Sequence, residues 1–252
     1  MNYKKYLVFI IISFLLSACS HDKNILSETS TNEVKNVNES DAADLDAEVH
    51  FDTVDISDVE NGKMYQEIKY QVVVYDDASD GLKKSLSALN AENKKNAEDF
   101  KKENMQSVRE FIDETGIEDG MYSYTEDYTV ITNDDKILSL IEFEYTDLMG
   151  AHGNYYIAGY NFDKETGRKL LLDDFIKDKE KLRVYIKDWI KEQNDDMFFE
   201  EADEVVDKYI DGEYELQYYL KNGDLIVIFQ IYDLAPYAAG AISISIPQDL
   251  RS

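Results

Sequence analysis

The chain has 252 residues, 53 acidic against 26 basic, with a formal charge of −27 and a single cysteine. Phosphate binding needs clustered Lys and Arg, so this balance excludes nucleic acid as a partner. One cysteine excludes a disulfide framework and a thiolate zinc site, and the length allows one sizeable domain or two small ones held by a packed core.

The first elements concern address. Lys4 and Lys5 precede an almost wholly apolar run, Leu7 to Leu16, broken only by Ser13. A membrane span needs ~20 apolar residues to cross ~30 Å of hydrocarbon. This run is shorter and reads as a cleaved export signal over residues 1–18. Its ending, Leu16-Ser17-Ala18-Cys19, resembles the bacterial lipobox, in which the thiol is acylated with diacylglycerol and the chain is cut just before it. That resemblance implies a protein anchored by lipid on Cys19 at the extracytoplasmic face of the cell membrane. Losing Lys4 and Lys5 takes the charge from −27 to −29. Anionic headgroups repel such a body, so the lipid alone is expected to hold it there. Residues 19–58 are rich in Ser, Thr, Asn, Asp and Glu and read as a flexible acidic tether, in which His21 and His50 carry no role.

Strand alternation then appears in Met64 to Tyr75. A helical stripe follows from about Ser79 to Glu114: Leu82, Leu86, Leu89, Asn93, Ala97, Phe100, Asn104, Val108 and Phe111. Ser79 or Asp80 caps its start and Gly116 suits the left-handed position after its end; the two asparagines suggest a break in its middle. Met121 to Thr132 and Ile137 to Tyr145 flank Asn133-Asp134-Asp135-Lys136 as a hairpin, and Tyr155 to Phe162 is a further strand. Two helices come next, one burying Leu182, Tyr185, Ile186, Trp189 and Ile190, the other Phe198, Ala202, Val205 and Tyr209. Strands at Glu215 to Leu220, Leu225 to Ile231 and Ile242 to Ile246 close the chain. Tight turns dominate the strand connections, so the expected fold is α+β: an antiparallel sheet with one long N-terminal helix and two shorter helices packed on it. A strand–helix half over 59–118 and a C-terminal ligand-binding α+β domain over 119–252 complete the organisation.

His152, in Gly150-Ala151-His152-Gly153, is the histidine of the folded body. It suits a hydrogen-bonded corner better than a general base, which needs a partner in space. The acidic pairs of Asn133-Asp134-Asp135, Asn194-Asp195-Asp196 and Asp203-Glu204 lack the spacing of a calcium loop and read as turn residues or solvated faces, so no metal and no cofactor is expected. The loop Tyr232 to Gly240 joins two apolar strands and carries Tyr232, Pro236, Tyr237 and a run of small residues. Such a loop can hold one shape and approach a second surface closely, which lowers the entropy cost of binding.

Several motifs recur in a recognisable order: Gly150-Ala151-His152-Gly153, Tyr160-Asn161-Phe162-Asp163, Thr166-Gly167-Arg168-Lys169-Leu170, Leu172-Asp173-Asp174-Phe175, Ala235-Pro236-Tyr237-Ala238-Ala239-Gly240 and Ile246-Pro247. Together they resemble a bacterial extracytoplasmic domain family. It is found in the lysozyme-sensing region of the sigma-V anti-sigma factor and ahead of the catalytic domain of some peptidoglycan deacetylases. The segment from Met64 to Gly116 looks like its usual N-terminal companion. The resemblance implies an α+β domain that binds a ligand without catalysis, with lysozyme or another cationic protein, or cell-wall glycan, as that ligand. Tyr232, Pro236 and Tyr237 would be the contact loop, with Gly150, His152 and Gly153 shaping its neighbouring edge and no catalytic residue. The alternatives are a peptidoglycan hydrolase or deacetylase accessory using His152, and a purely structural envelope scaffold.

Overall fold

A computed structural model describes residues 49–117, 120–193 and 197–251. The expected leader, Cys19, the expected tether up to residue 48 and Asn194-Asp195-Asp196 lie outside the described residues. Among the described residues no helix is long and apolar enough to cross a membrane.

A six-stranded sheet is built from β1 (Val49–Asp55), β2 (Asp58–Glu60), β3 (Lys63–Tyr75), β4 (Tyr122–Asn133), β5 (Ile137–Asp147) and β6 (Asn154–Asp163). Its order is β1-β3-β4-β5-β6, with β2 also on β3. The expected tether through residue 58 therefore ends earlier. β1 pairs along its whole length with β3, from Val49 opposite Tyr75 to Asp55 opposite Lys69. Its polar composition concealed it, because only Val49, Phe51 and Val54 turn toward the protein. The sheet also departs from a wholly antiparallel arrangement at one place. β3 and β4 are parallel, Gln66 opposite Tyr122 through Tyr70 opposite Glu126, because the long helix between them carries the chain back to the starting end.

That helix, α1 (Asp80–Thr115), is continuous. The Ser79 side chain accepts from Leu82 N at its start, and Gly116 closes it at φ 66° with its N–H on the Ile112 carbonyl. Its stripe of Leu82, Leu86, Leu89, Asn93, Ala97, Val108 and Ile112 is buried on the sheet. The break that Asn93 and Asn104 left possible is absent: Asn104 Nδ2 donates to the Phe100 carbonyl of its own helix at 2.9 Å, while Asn93 and its neighbour Asn90 serve the sheet. Beyond Tyr70 the pairing of β3 with β4 ends, and amide side chains take over the freed backbone. Asn90 Nδ2 donates to the Val73 carbonyl at 2.9 Å while its Oδ1 accepts from Val73 N at 2.8 Å. Asn93 Nδ2 donates to the Gln71 carbonyl at 3.2 Å, and Gln71 Oε1 accepts from Tyr128 N at 2.6 Å.

The remaining elements form two further layers. After the short α2 (Leu172–Phe175) come α3 (Lys179–Glu192), α4 (Ala202–Ile210) and a second, antiparallel sheet of β7 (Gln217–Lys221), β8 (Asp224–Phe229) and β9 (Ile242–Ile246). Leu182, Ile186, Ile190, Ala202, Val206 and Ile210 of the helices meet Leu225, Val227, Phe229, Ile244 and Ile246 of this sheet. Each of these Val, Leu, Ile and Phe side chains, fully buried, stabilises by about 1.5–3 kcal/mol relative to exposure. On α4 the buried line is Ala202, Val206 and Ile210; Val205 and Tyr209, placed in the core by the sequence pattern, sit half-buried one position away. The opposite face of the second sheet offers Tyr219 and Ile228 to Ile131, Ile141 and Ile157 of the first. The two shorter helices therefore cover the second sheet, and α1 covers the first.

The contact between the two sheets is polar at its edge. β6 is an edge strand, and an unpaired edge must be covered or satisfied. Gln230 does both for Ile157, accepting from its N–H and donating to its carbonyl, each at 2.9 Å. Gln217 Oε1 accepts from Gly159 N at 3.2 Å, and Asn161 Nδ2 donates to the Tyr218 carbonyl at 2.9 Å.

The Thr166-Gly167-Arg168 motif has a structural purpose at the other end. Gly167, at φ 73°, lies so close to Gly81 that a Cβ on either would meet the other's backbone region within about 2 Å. Ser79 and Ser85 of the helix end donate to the carbonyls of Lys164 and Gly167, both at 2.6 Å. Asp163 Oδ1 accepts from Thr166 N and Oγ1, and Asp174 accepts from Leu171 N and Arg168. These hydrogen bonds hold both carboxyls below their usual range.

Candidate binding site

Two loops meet at one end of the sheets: residues 148–153, between β5 and β6, and residues 230–241, between β8 and β9. Gln230 N donates to Asp233 Oδ2 at 2.5 Å, and the Tyr209 hydroxyl donates to the same oxygen at 2.5 Å. Burial pushes the Asp233 carboxyl up, and these two donors partly oppose that. Leu234 and Ala235 are buried, and Phe199 N donates to the Leu234 carbonyl at 2.8 Å. Pro236 then opens a turn of 3₁₀ helix over Tyr237–Ala239. With the loop rooted at Asp233 to Ala235, Tyr232 and Pro236 are left exposed and Tyr237 half-exposed.

Tyr232 has φ 65° and is 50% exposed. Left-handed backbone costs a non-glycine residue roughly 1–2 kcal/mol, and here that strain places a large ring in solvent. Its hydroxyl meets His152 Nε2 at 3.0 Å. The His152 ring stacks on Tyr237, centroids 4.0 Å apart and planes at 23°. Tyr237 donates its hydroxyl to the Gly153 carbonyl at 2.9 Å, and His152 Nδ1 lies 2.9 Å from the same oxygen. Tyr155 supports the group from β6: its ring meets Tyr237 edge-on, and its hydroxyl accepts from Ala241 N at 3.0 Å. Gly153 is buried against the Tyr145 hydroxyl, leaving no room for a Cβ, whereas Gly150 is exposed and a Cβ there would make only an ordinary contact with the His152 carbonyl oxygen, at 3.8 Å.

Four of the six predicted contact residues (His152, Gly153, Tyr232 and Tyr237) are thus joined by direct contacts. Pro236 and Gly150 shape the two loops from their outer sides. Such a cluster presents flat apolar surface with fixed polar atoms at its rim, at low entropy cost. His152 is held by a hydroxyl and a carbonyl, as the corner reading expected.

A second constellation was not apparent in the sequence. Glu126, Glu142 and Glu144 lie between the first sheet and α1, with one oxygen of each within 4.8 Å of the others. Glu126 and Glu142 are buried. The Tyr124 hydroxyl donates to Glu126 at 2.7 Å, and the Tyr128 hydroxyl donates to Glu142 at 2.6 Å. Burial, and then the charge of Glu142, push the Glu126 carboxyl up to about 8. These are the described carboxylates that could be drawn round a cation, but tyrosine hydroxyls already occupy two of them. The available signal was the alternation Tyr124-x-Glu126-x-Tyr128, which puts the glutamate on the same strand face as two buried rings.

The fold is α+β, with an aromatic cluster at one end of its sheets. Residues 173–249 match the family described as Protein of unknown function (DUF3298), so the chain carries a DUF3298 domain there, in agreement with the C-terminal motifs. The matched segment holds Tyr232, Pro236 and Tyr237; Gly150, His152 and Gly153 lie before it. Among solved structures, a DUF3298 family member from Bacteroides fragilis shares the fold, with TM-score 0.57 and 18% identity, over 81% of this chain and 94% of that one. A DUF3298 family protein from Pseudomonas aeruginosa gives TM-score 0.48 and 14% identity, over 80% of this chain and 90% of that one. No curated protein matches the chain.

Proposed function

We propose that this protein is a lipid-anchored, extracytoplasmic binding protein that acts without catalysis and docks a cationic protein of the lysozyme type on the Tyr232–Pro236–Tyr237 surface. The observation that carries this reading is the preorganised, exposed cluster of Tyr232, Tyr237 and His152. The formal charge of −27 supports a basic partner over anionic wall polymers and would speed its encounter. The family resemblance supports the same ligand class. Cys19 would supply the lipid, and the acidic segment after it the reach.

Titration of the purified protein with lysozyme is expected to give binding that weakens from low to physiological salt. Tyr232→Ala and Tyr237→Ala should each cost about tenfold or more in affinity, as for aromatic anchors at an interface. No binding at either salt would overturn the cationic-protein reading. Binding unaffected by both substitutions would overturn the site. Capture of purified peptidoglycan in place of lysozyme would move the ligand to glycan. Turnover of wall fragments, lost in a His152→Ala protein, would overturn the non-catalytic reading.

The anchor has its own test. Cys19→Ala should release the protein into the medium with lysozyme binding intact, read by fractionation and titration. Retention of that variant at the membrane would show the lipid assignment to be wrong.

A further inference from the structure

The contact between His152 and Tyr232 fixes more than the position of a ring. His152 Nδ1 lies 2.9 Å from the Gly153 carbonyl oxygen, which can only accept, so in the neutral imidazole the proton sits on Nδ1. Nε2 is then a lone pair, and the Tyr232 hydroxyl, 3.0 Å away, must donate to it. A tyrosine hydroxyl has one proton. With that proton directed at His152, the exposed side of the Tyr232 oxygen offers lone pairs alone. Protonation of the imidazole reverses this: Nε2–H donates to Tyr232, and the hydroxyl proton turns outward beside a new positive charge.

We infer that His152 is a positioning residue that sets the polarity of Tyr232, so that the surface accepts ammonium and guanidinium groups of a basic protein when His152 is neutral and releases them when it is protonated. This rests on the cationic-protein reading above and adds its regulation.

The groups packed around the imidazole are compatible with that role. Tyr232 and Tyr237, from the β8–β9 loop, touch the ring itself; behind them Tyr145 of β5 lies against Gly153 with Asp147 beside it, and Tyr155 of β6 meets Tyr237. Asp147 accepts from Met149 N at 2.7 Å and faces the Tyr145 hydroxyl at 3.4 Å. Burial, and then Asp147, push the Tyr145 hydroxyl up, so it stays neutral in the range where histidine titrates. Asp233 is committed to Tyr209 and Gln230 N, on the inner side of its loop. His152 is thus the ionisable side chain in direct contact with the Tyr232 hydroxyl.

The test is lysozyme titration of the purified protein from about pH 8 to about pH 5, the interval in which histidine changes charge while Lys and Arg do not. Wild-type affinity should fall about tenfold, the worth of one charge-assisted hydrogen bond. His152→Gln should give a profile flat within about threefold, a difference well under one such bond. Tyr232→Phe should bind more weakly than the wild type at pH 8 and lose less than the wild type does between pH 8 and pH 5. Carboxyl titrations elsewhere are common to all three proteins and cancel in the comparison. Circular dichroism of each variant confirms that it is folded. Parallel profiles for wild type and His152→Gln would overturn the inference while leaving the binding reading intact. Absence of binding at every pH would overturn the binding reading and this inference together.

Discussion

Gly159→Ala is expected to remove about 3–5 kcal/mol of stability, the upper range for overpacking against a rigid neighbour. Gly159 is on β6, on the face turned to the second sheet, and a Cβ there would lie 1.7 Å from the Tyr218 carbonyl oxygen and 2.6 Å from its carbon. Those atoms are backbone, so no side-chain rotation relieves the clash. The second sheet would have to move away from β6. That movement would lengthen the Asn161–Tyr218 bond, pull Gln217 from Gly159 N, and open the Ile131, Ile141, Ile157 and Ile228 cluster. One alanine thus strains a hydrogen-bonded edge and an apolar layer together. For a domain near 200 residues, such a loss lowers Tm by roughly 10 °C. Gly223→Ala is the control. It has φ 82° with nothing within 4 Å of its Cβ site, so it should cost only the left-handed strain of about 1–2 kcal/mol. Thermal melts of both decide the matter. If Gly159→Ala melts as high as Gly223→Ala, the close approach of the sheets does not limit stability.

The same two layers show what local sequence could and could not reveal. β3, β5 and α1 were legible because uninterrupted alternation or a long stripe reports burial from neighbouring residues, and Ser79 and Gly116 mark the ends of the helix. β1 was not legible: His50, Asp52 and Asp55 read as tether until a partner strand supplies the pairing. The parallel match of β3 with β4, and the division of the strands into two sheets, depend on contacts far apart in the chain. Asn93 looked like a weak point because its partners, the Gln71 carbonyl and the Tyr128 hydroxyl, are distant in sequence. At the candidate site the loops were readable from their glycine, proline and tyrosine content. The His152–Tyr232 contact, across 80 residues, was not. Glu126 and Glu142 were missed because a glutamate in a chain this acidic reads as a solvated face.

That buried glutamate pair should make stability fall as pH rises toward alkaline values, the reverse of ordinary acid denaturation. Glu126 has its carboxyl raised from an ordinary 4.5 to about 8, by burial first and Glu142 second. Between those values the native state keeps a proton that the unfolded chain releases. The unfolded state then binds fewer protons, so the slope of unfolding free energy with pH is negative. The stability is fully present below the ordinary value and is lost as pH climbs to about 8. From pH 6 to pH 8 the loss is about 2–3 kcal/mol, equivalent to roughly 5–10 °C in Tm. Asp163, Asp174 and Asp207 are shifted the other way by their hydrogen bonds and act only in the acid range. Glu126→Gln mimics the protonated carboxyl and removes the titration. Its melting temperature should be flat from about pH 6 to 8 and should equal or exceed that of the wild type at pH 8. A wild-type melting temperature that does not fall over this interval, or a Glu126→Gln protein that melts lower at pH 8, would mean that the carboxyl is ionised in the folded protein. The tyrosine hydroxyls would then be stabilising a buried charge.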